Sequence, residues 1–200
     1  GYKYEPISDE LGLGLDEFNL NRKIKGAKLP NVFPSSTPND IIYMIQELGL
    51  TRAKILGKIN ETFDPLGLFE PLKVFLKLKF SSLNDCAWNQ TLSQQVVDDW
   101  APILSIFPLL NDISIPRSLV PKNVKDNAPI RLICVCDAAA SAMGAAVYGG
   151  FELENGSFSC SLLTAKSRLA NASIPRNELG AILLGTELLH GVVKSSPRPI

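Results

Sequence analysis

The sequence predicts an α+β chain: a mostly helical front part, then three antiparallel strands and a helix. Three observations carry this. From residue 37 to about residue 107, apolar side chains recur at helical spacing. Residues 111–130 are rich in Pro, Asn, Asp and Lys and show no such period. Beyond them short apolar runs alternate with turn residues, Gly149-Gly150 and Glu154-Asn155-Gly156. The expected division is a helical part over residues 1–115, a linker over 116–130 and a strand-rich part over 131–200.

In the front part, Leu11-Gly-Leu-Gly-Leu15 alternates, and residues 17–24 are its expected hairpin partner. Pro30, Pro34 and Pro38 then interrupt regular structure. Thr37-Pro38 opens a first helix, because a hydroxyl caps free amides and Pro suits the first turn. Ile41, Ile42, Ile45 and Leu48 form its stripe, and Gly49 stops it. Thr51 caps a second helix with Ile55, Leu56, Ile59 and Phe63 on one face. Asp64-Pro65-Leu66-Gly67 reads as a turn. Pro71 starts a third helix carrying Leu72, Phe75, Leu76 and Leu78, with Lys73, Lys77 and Lys79 between them. Ser93 caps a fourth, buried through Val96, Val97, Trp100, Ile103, Leu104 and Phe107, and Pro102 is expected to kink or divide it. Trp88 and Trp100 are the expected aromatic anchors of this part.

In the back part, residues 132–136, 143–148 and 158–163 read as strands. Pro175 introduces a helix to about Val193, with Leu179, Ile182, Leu183, Thr186, Leu189 and Val193 as its apolar side. His190, the single histidine, lies late on that helix, where the dipole favours it. The tetrapeptide Ser-Ile-Pro-Arg occurs at 114–117 and again at 173–176, in contexts too different for a repeat.

Lys plus Arg equal Asp plus Glu at 20 each, so bulk positive charge is not available to bind nucleic acid; a local basic strip or a metal-mediated site remains open. The four cysteines, Cys86, Cys134, Cys136 and Cys160, show no CxxC spacing. Cys134 and Cys136 share one face of a strand and are expected to be small buried hydrophobes, which suits a reducing, intracellular setting, cytoplasmic or nuclear. No apolar run approaches the roughly 20 residues of a spanning helix, so no membrane partner is expected.

The chemistry-bearing residues are Asp137 and Glu178. An apolar run ends in the first, and the second opens an apolar helix. That layout brings two acids to one end of a sheet, where a divalent cation binds. Each acid also has a plain structural account: a strand-end carboxylate caps a turn, and an acid near a helix start suits the dipole.

Several blocks resemble the BEL/Pao-type retrotransposon polyproteins. They are Thr51-Arg-Ala-Lys-Ile-Leu56, Phe63-Asp-Pro-Leu-Gly-Leu68 with Pro71, Cys136-Asp-Ala-Ala-Ala-Ser141 with Met143-Gly-Ala-Ala-Val-Tyr148, Leu163-Thr-Ala-Lys-Ser-Arg168, and Ile174-Pro-Arg-Asn-Glu-Leu179. They stand in family order, and the resemblance extends over nearly the whole chain, from about Leu11 to about His190. The resemblance implies the connection region that follows a reverse transcriptase, then an incomplete RNase H-like α/β unit. It makes Asp137 and Glu178 two of four carboxylates that hold two Mg²⁺ ions and cut the RNA strand of an RNA–DNA hybrid. The third acid belongs on a fourth strand after the helix and the fourth on a later helix; the 200 residues contain neither region. Mg²⁺ binding is therefore expected to be weak or absent, and catalysis by this chain alone is not expected. No Asp-Thr-Gly or Asp-Ser-Gly is present, so an aspartic protease half-site is excluded.

Lys166 and Arg168 either contact phosphate or flank a loop. Lys73 and Lys77 either touch nucleic acid or form a solvated helix face. Residues 132–136 are apolar throughout, so both faces of that strand are expected to be covered, as in a central strand. One edge would lack a neighbour within the chain, which leaves three expectations: the chain is a fragment, a homodimer or protein partner covers the edge, or another element such as the helical front part covers it. The alternative to the nuclease is thus a domesticated, non-catalytic interaction module.

Overall fold

The computed structural model describes residues 2–14, 37–61, 64–126 and 128–196. Its elements in chain order are β1 (Tyr2–Glu5), β2 (Glu10–Leu13), α1 (Pro38–Leu48), α2 (Arg52–Glu61), α3 (Glu70–Ser81) and α4 (Gln94–Ser105). A 3-10 helix (Phe107–Asp112) follows, then β3 (Ser114–Pro116), β4 (Arg131–Ala138), β5 (Ala142–Glu152), β6 (Phe158–Leu169) and α5 (Ile174–Ser195). The mixture is α+β, with two separate three-stranded antiparallel sheets. The chain divides into two compact units: Gly1–Phe63 with Lys79–Pro116, and Asp64–Leu78 with Arg117–Ile200.

In the first unit, Thr37 and Asp40 form a reciprocal cap on α1. The Thr37 hydroxyl accepts from the Asp40 amide at 3.3 Å, and the Asp40 carboxylate accepts from the Thr37 amide at 2.8 Å. Gly49, at φ +62°, ends the helix. Ile41 and Ile45 are fully buried, as are Leu50, Ile55, Trp100 and Leu104. α4 does not divide at Pro102; it runs on to Ser105, whose hydroxyl donates to the Pro102 carbonyl at 2.8 Å. Phe107 then lies in the 3-10 helix.

Two expectations change here. Leu11 pairs with Tyr4 of β1 and Ile115 of β3, while the expected partner, residues 17–24, lies outside the described residues. Trp88 is half exposed rather than a core anchor. The Arg52 guanidinium lies 4.5 Å from its ring centroid and donates to the carbonyls of Asn84 and Cys86. An indole serves there as the cover of a cation, which needs only one shielded face.

In the second unit, the sheet order is β4-β5-β6. Cys136 opposes Ala145 and Asp137 opposes Gly144. Gly144 and Ala145 in turn oppose Ser167 and Lys166. Strand β6 continues to Leu169, so Lys166 and Arg168 stand near the end of that strand. The segment 123–125 runs beside the β5–β6 turn: Lys125 N donates to Glu152 O at 2.9 Å and Glu154 N to Asn123 O at 3.0 Å.

Helix α5 buries the side opposite to the expected one. Asn177, Ala181, Leu184 and Gly185 are buried, whereas Leu179, Ile182, Leu183 and Val193 are exposed. A Cβ on Gly180 would lie 2.8 Å from Met143 Sδ, and one on Gly185 would lie 2.8 Å from Cys134 Sγ. Small residues let the helix lie close against Cys134, Met143 and Ala145; a Leu-rich face has no room there. Strand β4 is likewise not covered on both faces. It pairs only with β5 among the described residues, and Val135 remains 53% exposed. Cys134 and Cys160 are exposed and Cys136 is half-buried, so the expectation of buried cysteines fails. An edge strand under a helix covers its side chains on one flank only.

Candidate functional site

Successive β4 side chains alternate between sheet faces. Cys134 and Cys136 stand toward α5, so Val135 and Asp137 stand on the other face. That face borders a largely apolar groove of about 430 Å³, lined by Glu70, Val74, Val135, Asp137, Gly144 and Ala165 among others. Asp137 is exposed at the penultimate position of β4, and Glu178 is half-buried in the first turns of α5. Neither carboxylate has a hydrogen bond or ion pair within the described residues.

The two acids belong to segments joined by a residue the sequence reading missed. Asn177 is 3% exposed. Its amide Nδ2 donates to Ala139 O at 2.9 Å and Ala140 O at 3.3 Å, just past Asp137, and to Ala172 O at 3.2 Å, before α5. The start of α5 is thereby tied to the turn after β4. A signal was present in the sequence: Asn177 shares a helix face with Ala181, Leu184 and Gly185, where a polar side chain requires a partner.

On the groove side, the turn read as Asp-Pro-Leu-Gly builds the start of α3. The buried Asp64 carboxylate accepts from the amides of Gly67 and Leu68 at 3.0 Å and of Phe69 at 2.8 Å. Glu70 Oε2 accepts from Ser167 N at 2.8 Å and from the Ser167 hydroxyl, and Glu70 Oε1 accepts from Lys73 Nζ at 2.9 Å. Burial works to raise the Glu70 pKa; the bonds from Ser167 and Lys73 outweigh it, and the net shift is downward. A carboxylate with a lowered folded pKa contributes stability that is lost as pH falls through that value. The gap in urea midpoint between the wild type and Glu70→Gln is therefore expected to narrow as pH drops below the usual carboxylate range. A gap independent of pH would overturn this account.

The candidate basic residues differ in what holds them. Lys73 is held by Glu70 at 2.9 Å, with Asp64 at 3.9 Å. Arg168 pairs with Glu187 of α5 at 3.2 Å, with both side chains about half exposed. Lys166 is exposed and Lys77 half-buried, and neither has a partner within the described residues. Lys166 opposes Ala145, which opposes Cys136, so its side chain stands on the α5 face of the sheet and not on the Asp137 face.

Carboxylate oxygens are the hard ligands that Mg²⁺ takes, and Mg²⁺ keeps several waters. Asp137 and Glu178 fit in type. In number they fall short: among the described residues no three His, Cys, Asp or Glu side chains gather in a group able to hold a metal. Nor is any described helix long and apolar enough to cross a membrane.

No curated protein and no solved structure gives a significant match to the chain. A family described as the Pao retrotransposon-like RNaseH-like domain matches residues 51–200. That span takes in α2 through α5, including the Asp-Pro-Leu-Gly turn, the β4-β5-β6 sheet, Asp137 and Glu178. The chain thus belongs to the Pao retrotransposon-like RNaseH-like domain family.

Proposed function

We propose that this region acts on RNA–DNA hybrids in a retrotransposon polyprotein, with Asp137 and Glu178 as two ligands of a divalent-metal site that cuts the RNA strand. The observation that supports it is the pair of unpartnered carboxylates on segments that Asn177 joins, within a chain of an RNase H-like family. Bound metal would neutralise the phosphodiester and hold attacking and leaving oxygens in line. This chain's residues would position it: Asp137 from the end of β4, Glu178 from the start of α5. Lys166, exposed on the α5 face of β6, would meet a backbone phosphate. Two carboxylates hold Mg²⁺ weakly, so the 200 residues alone are proposed not to turn over.

The test is hybrid cleavage by a longer polyprotein segment that contains this region. Asp137→Asn is expected to reduce RNA-strand cleavage by more than about 100-fold, since it removes a metal ligand. Cleavage at the wild-type rate would overturn the assignment. The second reading, a non-catalytic module that binds a protein partner, has its own observation: the exposed Leu179, Ile182 and Leu183 of α5 and the exposed Ile133 and Val135 of β4. A wild-type segment that binds hybrid but never cleaves it would favour that reading.

A further inference from the structure

We propose that the free edge of β4 is a homodimer interface: a second copy of this chain adds its own β4 antiparallel, with Arg131 of each copy opposite Asp137 of the other. An ion-paired Asp137 is not free to hold a metal, so the inference rests on the partner-binding reading above and names that partner. Among the described residues β4 pairs with β5 alone. A free strand edge presents unpaired N–H and C=O groups, and an added strand satisfies them. Ala139 N donates to Ala142 O at 2.8 Å, across the turn that joins β4 to β5. These groups alternate in direction along a strand, so the odd-numbered residues of β4 bond toward β5. Leu132, Cys134 and Cys136 therefore aim their amides and carbonyls at the open edge.

The edge Arg131-Leu-Ile-Cys-Val-Cys-Asp137 is self-complementary about Cys134. Two-fold pairing there sets Arg131 opposite Asp137, Leu132 opposite Cys136 and Ile133 opposite Val135, each of them twice, as an isologous interface requires. Leu132 with Cys136, and Cys134 with its own copy, are then the hydrogen-bonded pairs. The direction of those bonds admits only registers two residues apart. The neighbouring ones set Arg131 opposite Val135 or Ala139 and lose both ion pairs. Both charges await a partner. Asp137 is exposed and has none among the described residues. The exposed Arg131 stacks on the Phe158 ring, 4.9 Å from its centroid, without an ion pair; Glu152, which feels its charge, is held by Lys125 at 2.7 Å.

Both flanks of the edge are apolar and exposed. On the groove face, Ile133 is 42% and Val135 53% exposed. On the other face, Glu187 of α5 reaches Arg168 of β6 at 3.2 Å, and Gly185 lies against Cys134 and Cys136 of β4. The flank of α5 opposite Glu187 is thus turned toward the open edge of β4. By the helical period Ile182 and Val193 stand on that flank, and both are exposed. Antiparallel two-fold pairing puts the two α5 helices on one face of a continuous six-stranded sheet and brings these flanks toward each other. A foreign strand needs no particular order of charge; opposite charges at the two ends of one edge fit a second β4.

The experiment uses the whole 200-residue chain. Sedimentation equilibrium from micromolar to submillimolar concentration is expected to give twice the mass of one chain for the wild type. Arg131→Asp and Asp137→Arg each set like charges opposite one another at both ends, and each is expected to weaken dimerisation about tenfold or more. The double variant, Arg131→Asp with Asp137→Arg, exchanges the two ends and is expected to recover the dimer. Far-ultraviolet circular dichroism checks that each variant is folded. A second measurement needs no variant: an isotope-filtered NOE spectrum of mixed labelled and unlabelled wild-type chains is expected to show Ile133 of one copy against Val135 of the other. A monomeric wild type, a dimer without that contact, or a folded double variant that stays monomeric would each overturn the proposal. Growth into larger polymers would overturn it too, because a two-fold pair closes. Hybrid cleavage by the longer segment, in the test given above, would remove the partner-binding reading instead, whatever mass is measured here.

Discussion

Gly67→Ala is expected to destabilise the second unit by roughly 3–5 kcal/mol, the sum of backbone strain and lost hydrogen bonds. Gly67 sits at φ +78°, a region that side chains other than glycine rarely enter. An added Cβ would lie 2.0 Å from Ala165 O and 2.6 Å from its carbonyl carbon, atoms of a strand backbone that cannot step aside. The loop would have to lift away from β6. That breaks the bond from Ala165 N to Leu66 O, at 2.8 Å, and disturbs the three amides held by Asp64. Urea unfolding followed by circular dichroism measures the effect. A loss under about 1 kcal/mol, the level of an ordinary point mutation, would show that the loop does not clamp β6. The clamp matters for the groove beside Asp137, because Ala165 lines that groove and Ser167, two residues on, holds Glu70.

The second large effect comes from two neighbouring leucines. Leu184→Ala is expected to cost about 2–5 kcal/mol, as deletions in a packed core do. Leu183→Ala is expected to stay within about 0.5 kcal/mol, as surface changes do. Leu184 is 1% exposed and Leu183 is 57% exposed, so identical chemistry is tested at opposite faces of one helix. The same urea titration reads both. Equal costs at the two positions would mean that the outer face of α5 is covered in solution.

Those leucines also show where the sequence is legible and where it is not. The extent of α5 follows from local signals, with Pro175 in its first turn and an apolar period to Val193. Its buried face does not follow, because hydrophobicity marks Leu179, Ile182 and Leu183, whereas the face that packs on the sheet carries Asn177, Ala181, Leu184 and Gly185. The α1 cap, the stop at Gly49 and the buried Ile41 and Ile45 are legible, since each depends on residues within one or two turns. The apolar run of β4 is legible as a strand. Its place at the sheet edge depends on which strands pair, which no local period records. For the candidate site, Asp137 and Glu178 stand out as acids closing and opening apolar elements. Asn177, Asp64 and Glu70 do not stand out, because their meaning lies in partners brought together by folding: Asn177 reaches back 38 residues to Ala139, and Glu70 reaches 97 residues forward to Ser167.

The repeated Ser-Ile-Pro-Arg marks the division most plainly. At 173 the serine is the N-cap of α5 and Pro175 sits in its first turn. At 114 the first three of the same residues form β3, paired with β2 about one hundred residues earlier in the chain. By itself the sequence determines the local elements, their caps and the two acids, because short-range sterics and hydrogen bonding act within a few residues. Tertiary structure alone decides which face of α5 is buried, which edge of β4 is open and which side chains hold the acids' segments together. Those depend on close approach and on satisfying buried polar groups across the chain.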